Sequence, residues 1–323
     1  MIRWGLVAAA ALGVALGFFL ALSYAADTDP AEMREIYAND RSAFAPADGY
    51  SIHYRDQGRR DGPALILLHG LGASLHTFEP LVDRLGSDWR IITIDLPGHG
   101  LTGPHPREDY SMSARFAALD AVTEKIDLAA FALGGNSMGG EVAWSYAIDN
   151  PEAVSALILL DPSGAPTGNR RSAIGAWFIN SALFEWLGEN ITPRWFIAAS
   201  LDASVSNKDV ATEAAIDRYW NLLRLPGNRR AQVIWSRLMR DDARFAQLIE
   251  ITAPTLILWG GEDRLIPPET AERFAAAIAD SEVIIYETVG HLPMEEAADE
   301  TAADIDKFLR AARAKNSDDP AQN

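Results

Sequence analysis

The sequence predicts an α/β fold: a mostly parallel sheet covered by helices on both faces, with a helical insertion and an apolar N-terminal segment. Three observations predict it. Short apolar runs that close on a turn, ALILLHG (64–70), RIITIDLPG (90–98), LAAFALGGNS (128–137), ALILLDP (156–162), TLILWGG (255–261) and SEVIIYETVG (281–290), read as buried strands. Helically spaced segments alternate with them, as crossover connections in a parallel sheet require. Between about Ser163 and Gln247 the rhythm breaks, and amphipathic helical stretches replace the strands.

The elements follow in order. MIRWGLVAAAALGVALGFFLALSYAADTDP begins with Arg3 and runs uncharged from Trp4 to Ala26 before Asp27 and Asp29. A membrane span needs roughly 20 apolar residues and a signal-peptide core about 7–15. Residues Trp4 to Leu22 suit a retained anchor; Ser23-Tyr24-Ala25 also offers small residues for cleavage after Ala25. In either case Arg3 marks the cytoplasmic side and the remainder is exported. Residues 27–44 read as a polar linker, with room for a short helix, and YSIHYRDQG (50–58) as a half-exposed strand. FEPLVDRLGSD (78–88) has helical spacing, EVAWSYAIDN reads as a helix stopped by Pro151, and further helices are expected at 269–279 and 295–312. The chain thus divides into a membrane segment or signal peptide (1–26), a linker (27–44), two core parts (45–162 and 248–314), a helical cap (163–247) and a disordered tail (315–323).

Composition restricts the partners. A formal charge of −17 disfavours nucleic acid and anionic lipid surfaces. The absence of cysteine rules out disulfides, thiolate metal sites and a cysteine nucleophile. Five of the nine tryptophans, Trp177, Trp186, Trp195, Trp220 and Trp235, fall in the insertion. Most are expected to fill its own core, and about two or three to face a ligand pocket.

The stretch GGNSMGGEVAWSYA (134–147) carries the chemistry. A phosphate loop would need lysine and a hydroxyl after its last glycine, where Glu141-Val142 stand. A nucleophile raised on a strained strand-to-helix turn instead needs small residues two positions to either side, and Gly135 and Gly139 flank Ser137. The N–H of Met138 is then free to donate to an oxyanion. Of the six histidines only His291 lies downstream, in ETVGHLPME, where it suits the serine–acid–histidine order. Asp263, after TLILWGG, is the first choice for the acid, and Asp161, after ALILL, the fallback. A second oxyanion donor is expected from the turn LLHGLGAS (67–74), at the N–H of Leu71, with His69 ordering that loop.

HGLGAS, IDLPGHG (94–100), GNSMGG, GGEDRLIP (260–267) and VGH (289–291) together resemble the α/β-hydrolase superfamily, in its serine-nucleophile branch. The resemblance runs from about residue 45 to 312. It implies an eight-stranded, mostly parallel sheet with a lid after the sixth strand, and a carboxylesterase or lipase-like activity on a small hydrophobic ester. It implies no metal or organic cofactor, and only a fold role for Asp95 and His99. GNSMGG is similar to hydrolases of carbon–carbon bonds in ring-fission products as well, although their turn is usually richer in glycine and proline than HGLGAS. A non-catalytic binding protein on the same fold is the alternative of another class.

Overall fold

Eight strands pair into one sheet: β1 (Ser42–Ala47), β2 (Tyr50–Gly58), β3 (Ala64–Leu68), β4 (Arg90–Ile94), β5 (Phe131–Asn136), β6 (Val154–Leu160), β7 (Thr255–Gly260) and β8 (Ser281–Tyr286). Their order in the computed structural model is β1-β2-β4-β3-β5-β6-β7-β8. β2 runs antiparallel to β1 and β4, and all other pairings are parallel. The structure describes residues 12–14, 17–166, 180–238 and 244–317.

The central strands are apolar on both faces because both faces are covered. Leu65 and Leu67 of β3 point into one core layer, and Ile66 and Leu68 into the other, all fully buried. That is the period-two alternation of a strand, and each such side chain contributes about 1.5–3 kcal/mol by leaving water. One layer includes α3 (Met112–Lys125) and α4 (Met138–Asp149); the other includes α2 (Glu79–Leu85) and α11 (Ala298–Ser317). Two short helices, α9 (Thr270–Ala277) and α10 (Pro293–Glu296), flank β8 in sequence.

Between β6 and β7 lie α5 (Ala182–Asn190), α6 (Arg194–Ser204), α7 (Glu213–Leu223) and α8 (Asn228–Leu238), which form the cap. Residues 167–179, with Trp177, and 239–243 of this insertion lie outside the described residues. Arg230 of α8 ties the cap together through Glu185 and Glu189 of α5, at 2.6 and 2.7 Å, and to the core through Glu108.

The linker contains a short helix, α1 (Pro30–Tyr37), capped by Asp29; what its sequence does not announce is β1, which follows as an edge strand of the sheet. Its sequence, SAFAPA, hides this, because alanine and proline weaken the strand signal, while an edge position tolerates proline. Helix α3 is likewise faint in sequence, since half of its apolar residues are alanines.

Of the N-terminal run, residues 1–11 and 15–16 lie outside the described residues, as does the tail from 318. Residues 17–23 are helical, with Phe18, Phe19 and Leu22 exposed. Among the described residues no helix is long and apolar enough to cross a membrane. The chain leaving this segment is tied to the cap: Tyr24 bridges Ile191, the Ala25 N–H donates to Asn190 O, and Arg229 donates to Ala25 O at 2.6 Å and pairs with Asp27.

Candidate active site

Ser137 sits where β5 hands over to α4, with φ 52° and ψ −116°. A left-handed φ on a non-glycine residue is strained and persists only where the surroundings enforce it. They do so by close backbone contact. A Cβ on Gly135 would meet Gly139 O at 2.2 Å, and one on Gly139 would meet Leu68 O at 2.0 Å. Both small residues are therefore required by the turn. The Ser137 N–H is held by Leu160 O at 3.0 Å. Met138, at the first position of α4, has an N–H that its own helix cannot satisfy.

The turn after β3 comes against this elbow. A Cβ on Gly70 would stand 2.9 Å from Asn136 Oδ1 and 3.3 Å from Ser137 Cβ, so the Gly70–Leu71 backbone passes close to the serine. His69 braces the turn: its Nδ1–H donates to Gly70 O at 2.8 Å while its Nε2 accepts the Leu96 N–H at 3.1 Å. Both nitrogens are committed, and burial lowers the ring's pKa, so this histidine stays neutral.

His291 and Asp263 come together at the ends of β8 and β7. The Asp263 Oδ2 to His291 Nδ1 distance is 2.6 Å, with both side chains buried. Asp263 Oδ1 accepts the N–H groups of Leu265 and Ile266, at 2.7 and 3.0 Å, so the DRLIP turn fixes the carboxylate. Glu262 points away, accepting from Ser206 Oγ at 2.7 Å. Asp161, the fallback acid, lies fully buried behind this pair and accepts the Gly260 N–H at 2.8 Å. Asp161, Asp263 and His291 bring three potential ligand atoms within 4.8 Å of one another. Both oxygens of Asp263 are already spent on hydrogen bonds, which is the chemistry of an acid–histidine couple.

Ser137 and His291 open on one cavity of about 360 Å³. No hydrogen bond joins them among the described residues; such bonds often tighten only with substrate in place. The lining is largely apolar, with Leu71 on the core side, Ile197, Leu201 and Leu223 from the cap, and Leu265 and Ile266 beyond Asp263. Among the described lining residues there is no lysine or arginine.

A model of the alpha/beta hydrolase family matches residues 65–304. The chain belongs to this family. It is an enzyme of the hydrolase type. It is 30% identical to Lipase 1 of Psychrobacter immobilis over 81% of each chain. It is 28% identical to a 2-hydroxy-6-oxononadienedioate/2-hydroxy-6-oxononatrienedioate hydrolase of Cupriavidus pinatubonensis, over 75% of this chain and 84% of that one. The structure is similar to that of a membrane phospholipase A, with a TM-score of 0.73, 25% identity and coverage of 97% and 99%.

Within this hydrolase three supporting residues escaped the sequence reading. Asn136 Nδ2 donates to both Leu160 O, at 3.2 Å, and His291 O, at 3.1 Å. A buried amide ending an otherwise apolar strand was its only signal. Glu296 accepts the N–H groups of Gly290, Ser206 and Asn207, at 3.0, 2.7 and 2.9 Å, which joins the histidine loop to the end of α6. Tyr219 of α7 lines the cavity and donates to Glu295 at 3.2 Å. No local motif marks either glutamate, because most of their partners, Ser206 and Asn207 for Glu296 and Tyr219 for Glu295, lie far away in sequence.

The tryptophans differ from expectation. None of the described ones lines the cavity. Trp235 is buried under the Arg115 guanidinium, Trp220 donates to Thr192 O and stacks on Arg224, and Trp186 and Trp195 are exposed on the outside of the cap. Aliphatic side chains face the pocket instead.

Proposed function

We propose that the protein is a serine hydrolase that cleaves a hydrophobic carboxylic ester through an acyl-enzyme. Ser137 Oγ attacks the ester carbonyl as His291 Nε2 takes its proton, and the Asp263 carboxylate holds the ring by Nδ1 and offsets its charge. The Leu71 and Met138 N–H groups receive the oxyanion; one such donor is worth about 2.7–4 kcal/mol in the transition state. The imidazolium then protonates the leaving alcohol, and the neutral ring activates water to release the acid. One observation carries the reading: a serine on a strained elbow shares an apolar cavity with a histidine whose other nitrogen is bonded to a buried aspartate.

Cleavage of a carbon–carbon bond in a ring-fission product is the second reading, favoured by the relatives that bear that name. The lining supports the ester, because a dianionic dienone needs cationic partners and the described lining residues include no lysine or arginine. Assaying p-nitrophenyl esters of graded chain length beside a dienone substrate separates the two. Preference for the dienone reverses the assignment.

We further propose that the N-terminal run anchors the enzyme in a membrane, with the hydrolase domain outside the cytoplasm. Support comes from the uncharged length after Arg3 and from the binding of residues 24–27 to the cap. Mass spectrometry of the mature N-terminus tests it: an intact Met1 or Ile2 end supports the anchor, and a start at Ala26 makes the run a cleaved signal.

A further inference from the structure

A second carboxyl stands behind the first. Asp161, just past β6, is fully buried and has φ 45°, a left-handed bend that aspartate and asparagine accept better than other non-glycine residues. Its Oδ1 accepts the Gly260 N–H at 2.8 Å. Its Oδ2 is buried with no donor to serve it as long as the neighbouring carboxyls are ionised. The groups facing it are Asp263 from the turn after β7, Glu296 from α10, and the His291 ring.

Two adjacent carboxylates in a dry site do not both stay ionised; the pair retains a proton. Asp263 is poorly placed to hold it, since its oxygens already accept from Leu265, Ile266 and His291. We infer that Asp161 remains protonated at neutral pH and donates through Oδ2–H to the Asp263 carboxylate, acting as a positioning residue for the acid that orients His291. A proton there removes the orphaned oxygen and gives Asp263 a further donor, against rotation away from the ring. Burial first, and then the charge of Asp263, push the Asp161 carboxyl well above the ordinary carboxylate range. The inference rests on the reading of Asp263 as the partner acid of His291.

The test compares Asp161→Asn, Asp161→Ala and Asp263→Asn with the wild type in the full chain, by kcat/KM and by thermal melting from pH 4 to 8. Asparagine keeps the acceptor for Gly260 and a donor for Asp263 but has no proton to lose. Asp161→Asn is expected to keep kcat/KM close to the wild type at pH 7. Asp161→Ala loses about 10–100-fold, as when an outer-shell partner is removed, and Asp263→Asn about 10⁴-fold.

Melting gives a readout that needs no activity. The folded chain keeps a proton that the unfolded chain releases near the ordinary aspartate value of 3.8, so wild-type stability falls as pH rises above about 4. Asp161→Asn escapes this loss, and its melting temperature gains on the wild type from pH 4 to 8. A flat difference overturns the proton. An Asp161→Asn loss as deep as that of Asp263→Asn, or equal activity of the asparagine and alanine variants, overturns the positioning role. If the wild type itself hydrolyses no ester, the catalytic reading has failed, and melting still decides the proton.

Discussion

The side chain of Asn136 donates to the backbone carbonyl of His291 across 155 positions of sequence, at 3.1 Å. The residue before the candidate nucleophile thereby holds the loop that carries the candidate base. Its second bond, to Leu160 O, fixes the amide against β6. Asn136→Ala strips the buried His291 carbonyl of its side-chain donor and leaves Leu160 O with only the Ser137 N–H, and is expected to cost about 1–3 kcal/mol of stability. Because the histidine loop loosens, kcat should fall more than KM rises. Steady-state kinetics at a temperature where the variant is folded checks the split; a change in KM alone contradicts it.

Glu296 performs the corresponding task for the cap. Its carboxylate accepts three N–H groups, one from the histidine loop and two from the chain leaving α6. Hydrogen bonds to a charged acceptor are individually strong, about 1.5–3 kcal/mol each. Glu296→Ala should therefore make the residues around 204–207 the most protease-sensitive part of the described cap and raise KM for long-chain esters. Limited proteolysis with mapped cleavage sites is the check, and a digestion pattern like the wild type's counts against the latch.

A second serine–histidine–aspartate array lies elsewhere in the molecule. Asp95 Oδ2 is 2.7 Å from His53 Nδ1, and His53 Nε2 is 2.9 Å from Ser42 Oγ. It lacks what a site needs. His53 and Asp95 are wholly buried, and Asp95 is also occupied by the N–H groups of Leu75 and Leu101. The array clasps β1 and β2 to the turn after β4. Ser42→Ala is expected to leave kcat/KM unchanged and to cost about 0.5–1.5 kcal/mol of stability. Loss of hydrolysis in this variant, with folding retained, would move the chemistry there.

Acid should weaken the fold through its buried rings. Burial lowers His76 to about 4, and burial together with the adjacent His69 lowers His99 to about 3. The unfolded chain takes up protons on these rings near pH 6.5 while the folded one resists. Their contribution is complete above that pH and declines as pH falls from 6.5 toward 4. Relative to the wild type, His99→Gln should therefore gain in melting temperature between pH 7.5 and 5. A difference independent of pH contradicts the buried neutral ring.

Much of this site was legible in sequence because its geometry is local. Gly135, Ser137 and Gly139 lie within five residues, and the packing that demands the glycines is set by the same strand-to-helix turn. The central strands were legible since burial on both faces leaves continuous branched and aliphatic runs, as in Leu65 to Leu68. Edge strand β1 was not, for its burial is partial and its residues are small. The props of the site, Asn136, Asp161 and Glu296, act on backbone groups, most of them distant in sequence, for which no spacing rule exists. The cap aromatics misled for the opposite reason: a tryptophan is stabilised equally well by burial away from the pocket, as Trp235 is against Arg115 and His99 of the core.

The central claim is that Ser137 Oγ is the nucleophile. Ester turnover and fluorophosphonate labelling of Ser137→Ala, beside the wild type and with melting to confirm folding, test it most directly. The account predicts no labelling and a fall in kcat of several orders of magnitude, about 10⁶-fold in the analogous triad of subtilisin. Near-normal hydrolysis by the folded variant would contradict it.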